Sequence, residues 1–303
     1  MKAQVLKLLE NNSAQALRLE LADLRPFKLP RLPFTTNLWV QRDDLIHPII
    51  SGNKWRKLQG WVKYAQTHNY HTLLTFGGAY SNHLVATAAA GHLFGLSTKG
   101  ILRGDEPLDN LYLQVAKHYG MEISGISRSE FRDKETLYGQ FKKQEGVLLI
   151  HDGGQGELAF EGFMDLVNSW NEMPQRIIHA SATATTAVGL AKAIEARRST
   201  SIISSVLVLK NLQSQVEYAM NHGVIDRISF LEGYAWGGYA KFHPELWQFK
   251  QEFEELNGWK IDPVYTAKAL YALREELLKG TIDAGEKIVF LHTGGTLTNF
   301  TLD

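Results

Sequence analysis

Short apolar runs alternate along this chain with segments of helical periodicity, and this alternation constrains the fold more than any other feature. Most of the runs are continuously apolar, which is typical of strands buried on both faces of a parallel sheet. Strands separated by helices predict an α/β architecture of open, mostly parallel sheets flanked by helices. The predicted strands cover residues 38–41, 72–76, 98–102, 147–150, 176–180, 204–209, 228–231 and 287–292.

Composition excludes several classes of protein. The 303 residues include no cysteine, which excludes disulfides and thiolate metal sites, and His68 and His71 lack the spacing of a zinc pair. The 32 basic residues balance 32 acidic ones, whereas chains that bind many nucleic-acid phosphates are usually basic. No apolar run reaches the ~18–20 residues of a membrane helix, and the N-terminus does not resemble a signal peptide. We therefore expect a cytoplasmic protein without metal, nucleic acid or membrane partner.

A polar turn opens an amphipathic helix at residues 51–58. Ser51 and Asn53 are candidate caps for this helix. Lys54 lies in its first turn, where the positive end of the helix dipole disfavours a cation. That position suits a lysine held neutral or condensed with a carbonyl, and a solvated surface lysine is the alternative. One face of the predicted helix is apolar and includes Trp55, Leu58, Val62 and Ala65.

Three more turns follow predicted strands. Residues 75–83 combine glycines with N-cap residues before a helix at 84–94, an arrangement that can bind a carboxylate or a phosphate. Residues 179–190 carry hydroxyls that can hold a phosphate at a helix N-terminus or serve only their own backbone. A Gly-Gly turn follows at residues 290–296. Because ligands of open α/β sheets bind at the carboxyl ends of strands, these turns predict one composite site.

Five segments, in order, resemble the pyridoxal-phosphate (PLP) enzymes of fold type II. Within that group the chain resembles the D-cysteine desulfhydrase and 1-aminocyclopropane-1-carboxylate (ACC) deaminase branch. The resemblance implies a homodimer that acts on a small amino acid, with a site between two domains. The large PLP-binding domain would comprise residues 1–56 and 157–303, and the small domain residues 57–156. The matching segments are residues 42–45, 51–58, 78–83, 262–269 and 292–295.

The resemblance also implies roles for residues in the first half of the chain. Lys54 would bind the PLP aldehyde covalently and act in catalysis. Asn82 would hydrogen-bond the phenolic oxygen of PLP. Ser81 would receive the substrate carboxylate or polarise the reacting group, and Asn82 and His83 would assist in substrate binding. From the residues alone His83 is a candidate base, and a histidine that only hydrogen-bonds is the alternative.

Further roles fall in the second half. Tyr265 would exchange a proton with the substrate, and Thr266 would face the pyridine nitrogen. Tyr239 would be a second active-site tyrosine in contact with the substrate. The cofactor phosphate would bind a hydroxyl-rich loop through Ser181, Thr183, Thr185 and Thr186. We call residues 181–186 the hydroxyl loop.

The hydroxyl loop departs from the family pattern. Ala182 and Ala184 stand where the family has glycines. If either position requires a positive φ, the alanine is strained by about 1 kcal/mol. The sequence then predicts weaker retention of PLP than in relatives.

The resemblance implies a PLP-dependent lyase or deaminase. Elimination from D-cysteine would give pyruvate, ammonia and sulfide. ACC deaminases carry a glutamate at the position of Thr266, so the threonine favours the desulfhydrase reaction over ACC deamination, which is the alternative. Because the hydroxyl loop is altered, a non-catalytic PLP carrier or sensor is a further alternative.

Overall fold

The computed structural model describes Leu9, residues 17–104, 110–142 and 144–238, Lys241, residues 243–295 and Leu297. The chain forms two compact units. The first unit comprises Met1–Leu17 and His47–Gly162, and the second comprises Arg18–Ile46 and Phe163–Asp303.

Strands and helices alternate through most of the described residues, which confirms the predicted α/β class. The strands are β1 (Leu24–Pro26), β2 (Asn37–Gln41), β3 (Thr72–Gly77), β4 (Ser97–Arg103), β5 (Glu122–Ile126), β6 (Val147–Ile150), β7 (Arg176–Ser181), β8 (Ile202–Leu207), β9 (Ile228–Leu231) and β10 (Lys287–Leu291). The helices are α1 (Asn53–Thr67), α2 (Asn82–Phe94), α3 (Leu111–His118), α4 (Arg128–Arg132), α5 (Lys134–Lys142), α6 (Glu161–Asn168), α7 (Thr185–Ala196), α8 (Leu212–Asn221), α9 (Pro244–Asn257) and α10 (Thr266–Lys279). None of these helices is both long and apolar enough to cross a membrane.

The sheet of the first unit has the strand order β5-β4-β3-β6, and all its pairs are parallel. Strand β3 pairs with both β4 and β6, so its side chains are almost all buried. Helix α1 buries the apolar face that its periodicity predicts, at Trp55, Leu58, Val62 and Ala65. This packing fixes the start of α1, where Lys54 lies.

The sheet of the second unit has the order β1-β2-β10-β7-β8-β9. Strand β1 is antiparallel to β2, and the remaining pairs are parallel. The carboxyl ends of β2, β10, β7, β8 and β9 therefore share one edge of this sheet. The main apolar cluster of the unit packs on the sheet and includes Phe27, Ile178, Phe253, Leu270 and Phe290.

The limits of the units differ from the predicted domains. The prediction assigned residues 1–56 to the large domain, but the structure groups residues 47–56 with the first unit. Helix α1 causes this difference, because it contacts α2 and the turn before α6 within the first unit. Lys54 and Ser81 therefore belong to the same unit.

Candidate active site

The turn after β3 ends at Ser81, which caps helix α2. Its Oγ accepts a hydrogen bond from the Leu84 backbone N–H at 3.3 Å, as the N-cap prediction requires. A Cβ on Gly77 would lie 2.9 Å from Ser81, so this close turn needs the glycine. The half-buried side-chain amide of Asn82 makes no hydrogen bond to any described residue. The turn thus offers a free amide and the unpaired N–H groups of a helix start.

Lys54 lies in the first turn of α1. The N-cap is Gly52, at φ 64°, and no side chain caps the helix, so the prediction of a Ser51 or Asn53 cap is wrong. Asn53 instead accepts a hydrogen bond from Lys54 Nζ at 2.7 Å. A half-buried amine is therefore held beside the positive end of a helix dipole.

Lys57 is a site residue that sequence reasoning missed. Its side chain is 4% exposed, and Nζ donates a hydrogen bond to the Gly153 carbonyl at 2.9 Å. Burial, together with the nearby charge of Lys54, lowers the pKa of Lys57 to about 7. The first unit therefore holds two neighbouring lysine amines, and the Lys57 amine is partly uncharged near pH 7.

His83 lies beneath this turn, with 5% of its surface exposed. Thr75 Oγ1 donates to the Ile150 carbonyl at 3.0 Å, so it accepts from His83 Nε2 at 2.9 Å. Burial, with the charges of Lys57 and Lys54, lowers the pKa of His83 to about 3. The His83 ring is therefore neutral near pH 7. Because its Nε2 is bonded to Thr75 and the ring is buried, His83 is poorly placed for the predicted role in substrate binding.

We expect Lys57→Met to remove part of the rise in the free energy of unfolding between neutral and mildly alkaline pH. In the folded chain without cofactor Lys57 loses its proton near pH 7, whereas the unfolded chain keeps it up to a pKa near 10.5. Unfolding therefore binds a proton in this interval, so the contribution of Lys57 to stability increases with pH. Urea titrations of both proteins across the interval measure the difference. Parallel pH profiles would contradict a depressed pKa.

The hydroxyl loop leads from β7 into α7 in the second unit. Ser181 Oγ lies 2.5 Å from Gln215 Oε1 and 3.2 Å from the Thr183 carbonyl. The Ser181 hydroxyl therefore donates its hydrogen bond to the protein. Thr183 and Thr185 bring their hydroxyls within 3.4 Å of each other. Ala184 is the N-cap of α7 and offers no side-chain cap. The start of α7, with the positive end of its helix dipole and no side-chain cap, therefore suits an anion such as a phosphate.

The alanines of the hydroxyl loop are not strained. The non-glycine residues described with positive φ are Arg31, Asn69, Arg198 and Trp236, and Ala184 has a φ of −70°. The condition for strain at Ala182 and Ala184, a positive φ, is therefore not met. The loop follows a path that L-residues adopt readily, so this ground for weaker PLP retention disappears.

Asp262 holds the start of α10. The fully buried carboxylate accepts hydrogen bonds from the backbone N–H groups of Val264, Tyr265 and Thr266, at 2.9, 2.7 and 3.1 Å. The Thr266 hydroxyl lies 2.8 Å from the same carboxylate and 3.0 Å from the Asp262 carbonyl. The backbone of Tyr265 is thus fixed, while the Thr266 hydroxyl is already committed.

Thr293 follows β10 and has a hydroxyl that makes no hydrogen bond to the described residues, although its side chain is buried. Strand β10 pairs with β7, which carries the hydroxyl loop at its carboxyl end. Both turns therefore leave the same edge of the sheet. Thr293 was part of a matching segment, but the sequence assigned it no role.

Lys268 is a second buried lysine of the candidate site. Its Nζ donates to the carbonyls of Ala235 and Gly238, both at 2.9 Å, and burial lowers its pKa to about 8. These bonds fix the backbone immediately before Tyr239, which lies outside the described residues.

Comparisons with known proteins identify the family of this chain. Residues 24–294 match the family described as pyridoxal-phosphate dependent enzyme. The chain is 29% identical over 301 residues to the mitochondrial bifunctional D-cysteine desulfhydrase/1-aminocyclopropane-1-carboxylate deaminase of Arabidopsis thaliana, covering 89% of this chain and 75% of that protein. It is 24% identical over 319 residues to a D-cysteine desulfhydrase of Serratia proteamaculans (strain 568), covering 95% and 96%.

A solved structure described as an ACC deaminase homologue superposes with a TM-score of 0.71 at 26% identity, covering 97% of this chain and 95% of that one. The family match spans both described units and includes the segments that carry Lys54, the hydroxyl loop and Thr293. The predicted fold type and cofactor are thereby confirmed. The chain belongs to the family of pyridoxal-phosphate dependent enzymes.

Proposed function

We propose that this protein is a PLP-dependent lyase that eliminates the β-substituent of a small amino acid, with D-cysteine as the preferred substrate. The observation that carries the proposal is the cluster in the first unit. There Lys54 supplies a half-buried amine whose charge acts on His83, and the neighbouring Ser81 and Asn82 supply a capped helix start and an amide without a partner among the described residues. These groups suit an aldehyde, a carboxylate and a phenolic oxygen, respectively.

The residues fit the cofactor by the chemistry of their donor groups. Lys54 supplies an amine for the aldehyde, and Asn82 supplies an unpaired amide for the phenolic oxygen. The N–H groups of α7, with Thr183 and Thr185, suit the phosphate dianion. Thr293 suits the pyridine nitrogen better than Thr266 does. The Thr266 hydroxyl is bonded to Asp262, whereas the Thr293 hydroxyl has no partner among the described residues. When bound, PLP withdraws electrons from the Cα of an amino acid joined to its aldehyde.

Side chains and backbone groups of the protein then bind the substrate carboxylate and move the Cα proton. The start of α2, with Ser81, holds the substrate carboxylate, since free N–H groups collect there. The Lys54 amine, or the Tyr265 phenol, takes the proton from Cα. Tyr239 remains the second tyrosine of the proposed site. A neutral hydroxyl facing the pyridine nitrogen favours elimination over opening of a cyclopropane ring, because it cannot keep that nitrogen protonated as a carboxylate can.

Parallel assays of 2-oxo-acid release, as pyruvate from D-cysteine and as 2-oxobutanoate from ACC, test the proposal. We expect release from D-cysteine with sulfide in equal amount, and much slower release from ACC. Faster release from ACC would establish the alternative deaminase activity, which the name of the Arabidopsis relative also includes. A chain that binds PLP but releases a 2-oxo acid from neither substrate would be the carrier or sensor. Strain in the hydroxyl loop would have supported the carrier or sensor, but the loop alanines have no positive φ.

The proposal includes a homodimer in the cytoplasm, as the family resemblance implies. Sedimentation equilibrium of the PLP-loaded protein should give twice the mass of the chain at micromolar concentration. A mass of one chain would contradict the dimer and leave the assignment of the reaction unaffected. Fractionation of cells that express the tagged chain tests the location.

A further inference from the structure

Two amide side chains outside the hydroxyl loop form hydrogen bonds with it. Gln215 is buried on α8, and its Oε1 accepts a hydrogen bond from Ser181 Oγ at 2.5 Å. Its Nε2 donates to Asn211 Oδ1 at 2.9 Å. Asn211 Nδ2 in turn donates to the Ala182 carbonyl at 2.8 Å. We call Asn211 and Gln215 the amide bracket.

Asn211 occupies the N-cap position of α8 but does not cap that helix. An N-cap asparagine ordinarily accepts a hydrogen bond from a backbone N–H of its own first turn, which stabilises the helix. Here its oxygen binds Gln215 and its nitrogen binds Ala182. The side chain therefore serves the hydroxyl loop in place of its own helix.

Two carbonyl oxygens of the hydroxyl loop are held by Asn211 and by Ser181, which itself bonds to Gln215. The Ala182 carbonyl is bonded to Asn211, and the Thr183 carbonyl accepts from Ser181 Oγ at 3.2 Å. Both carbonyls would repel a phosphate if they faced it. With these oxygens held by the protein, the loop can present the N–H groups of α7 and the hydroxyls of Thr183 and Thr185.

We propose that Asn211 and Gln215 are positioning residues that hold the hydroxyl loop in the conformation that binds the cofactor phosphate. The proposal rests on the assignment of that phosphate to the hydroxyl loop. Each amide donates on one side and accepts on the other, so each has one productive orientation. A change at either residue removes at least one bond that orients the loop.

Titration of the full-length chain, freed of cofactor, with PLP and with pyridoxal tests the proposal. Pyridoxal has the aldehyde and the ring but lacks the phosphate. Gln215→Met keeps the length of the side chain and removes both hydrogen bonds, and Asn211→Asp keeps an acceptor but cannot donate to Ala182. We expect each change to weaken PLP binding about tenfold and to leave pyridoxal binding unchanged.

Gln213→Met is the matched control. Gln213 lies on the same helix and is exposed, and its Nε2 bonds only to Glu217 within the described residues, at 2.9 Å. This variant should bind PLP and pyridoxal as the unmodified chain does. Thermal unfolding of the cofactor-free proteins shows whether each variant folds.

Two outcomes would overturn the bracket proposal. Unchanged PLP binding in folded Gln215→Met and Asn211→Asp overturns the bracket. An equal loss for PLP and pyridoxal also overturns it, since a general structural role would affect both ligands. If Gln215→Met does not fold, Asn211→Asp alone decides. The phosphate assignment has its own test, because Thr183→Val combined with Thr185→Val should weaken PLP binding even if the bracket proposal fails.

Discussion

Lys54→Ala is expected to abolish covalent retention of PLP and to lower turnover by at least about a thousandfold. The structure supports this expectation through the position of the amine. Lys54 lies at the start of a helix, half-buried, with Nζ bonded to the adjacent Asn53 side chain at 2.7 Å. The change removes the nucleophile and leaves the apolar face of α1 intact, so the protein should fold normally.

Borohydride reduction of the PLP-loaded protein followed by peptide mapping locates the attached cofactor. The competing amine is Lys57, which has a pKa of about 7 and is only three positions along the helix. We expect no label there, because Lys57 Nζ is buried and bonded to Gly153. Lys63→Ala, on the exposed side of α1, is the matched control and should retain both label and turnover. A label on Lys57 would transfer the role to that residue.

Tyr265→Phe should retain PLP while losing about a hundredfold to ten-thousandfold in elimination. The carboxylate of Asp262 accepts a hydrogen bond from the Tyr265 backbone N–H at 2.7 Å, and the Tyr265 side chain packs against the apolar cluster of the second unit. Removing one oxygen leaves this backbone arrangement in place. Pyruvate release and the absorbance of bound PLP measure the two effects separately.

Tyr271→Phe provides the comparison for that change. Tyr271 lies on the same helix, and its hydroxyl binds Glu245 within an aromatic cluster of the second unit. This variant should keep its turnover. If Tyr265→Phe also keeps its turnover, the proton is moved by another group, and Lys54 is then the first candidate.

The sequence predicted the buried strands well because their apolar runs report burial on both faces. Eight predicted runs correspond to β2, β3, β4 and β6 through β10. Two strands gave no such signal. Strand β1 has three residues and is largely exposed, and β5 includes a glycine and exposes several of its residues. Both lie at sheet edges, where one side lacks a neighbouring strand and continuous apolarity is not required.

The predicted site turns occur at the carboxyl ends of strands, as their local sequence indicates. The sequence could not show which distant groups form hydrogen bonds with each hydroxyl and amine. Lys57 is buried because Gly153, far along the chain, offers it a carbonyl. Ser181 is occupied by Gln215 on another helix. Thr266 was the exception, since its partner Asp262 is only four residues away and an Asp-Pro pair before a helix start indicates a local cap.

The strand order of the second unit also determines when its sheet can form during synthesis. Strand β10 lies between β2 and β7, although all of β3 to β9 are synthesised between β2 and β10. At ~5–20 residues per second, β2 waits on the order of tens of seconds for this partner to leave the ribosome. The sheet of the second unit therefore cannot be completed until β10 has been synthesised, whereas the strands of the first unit are all available well before.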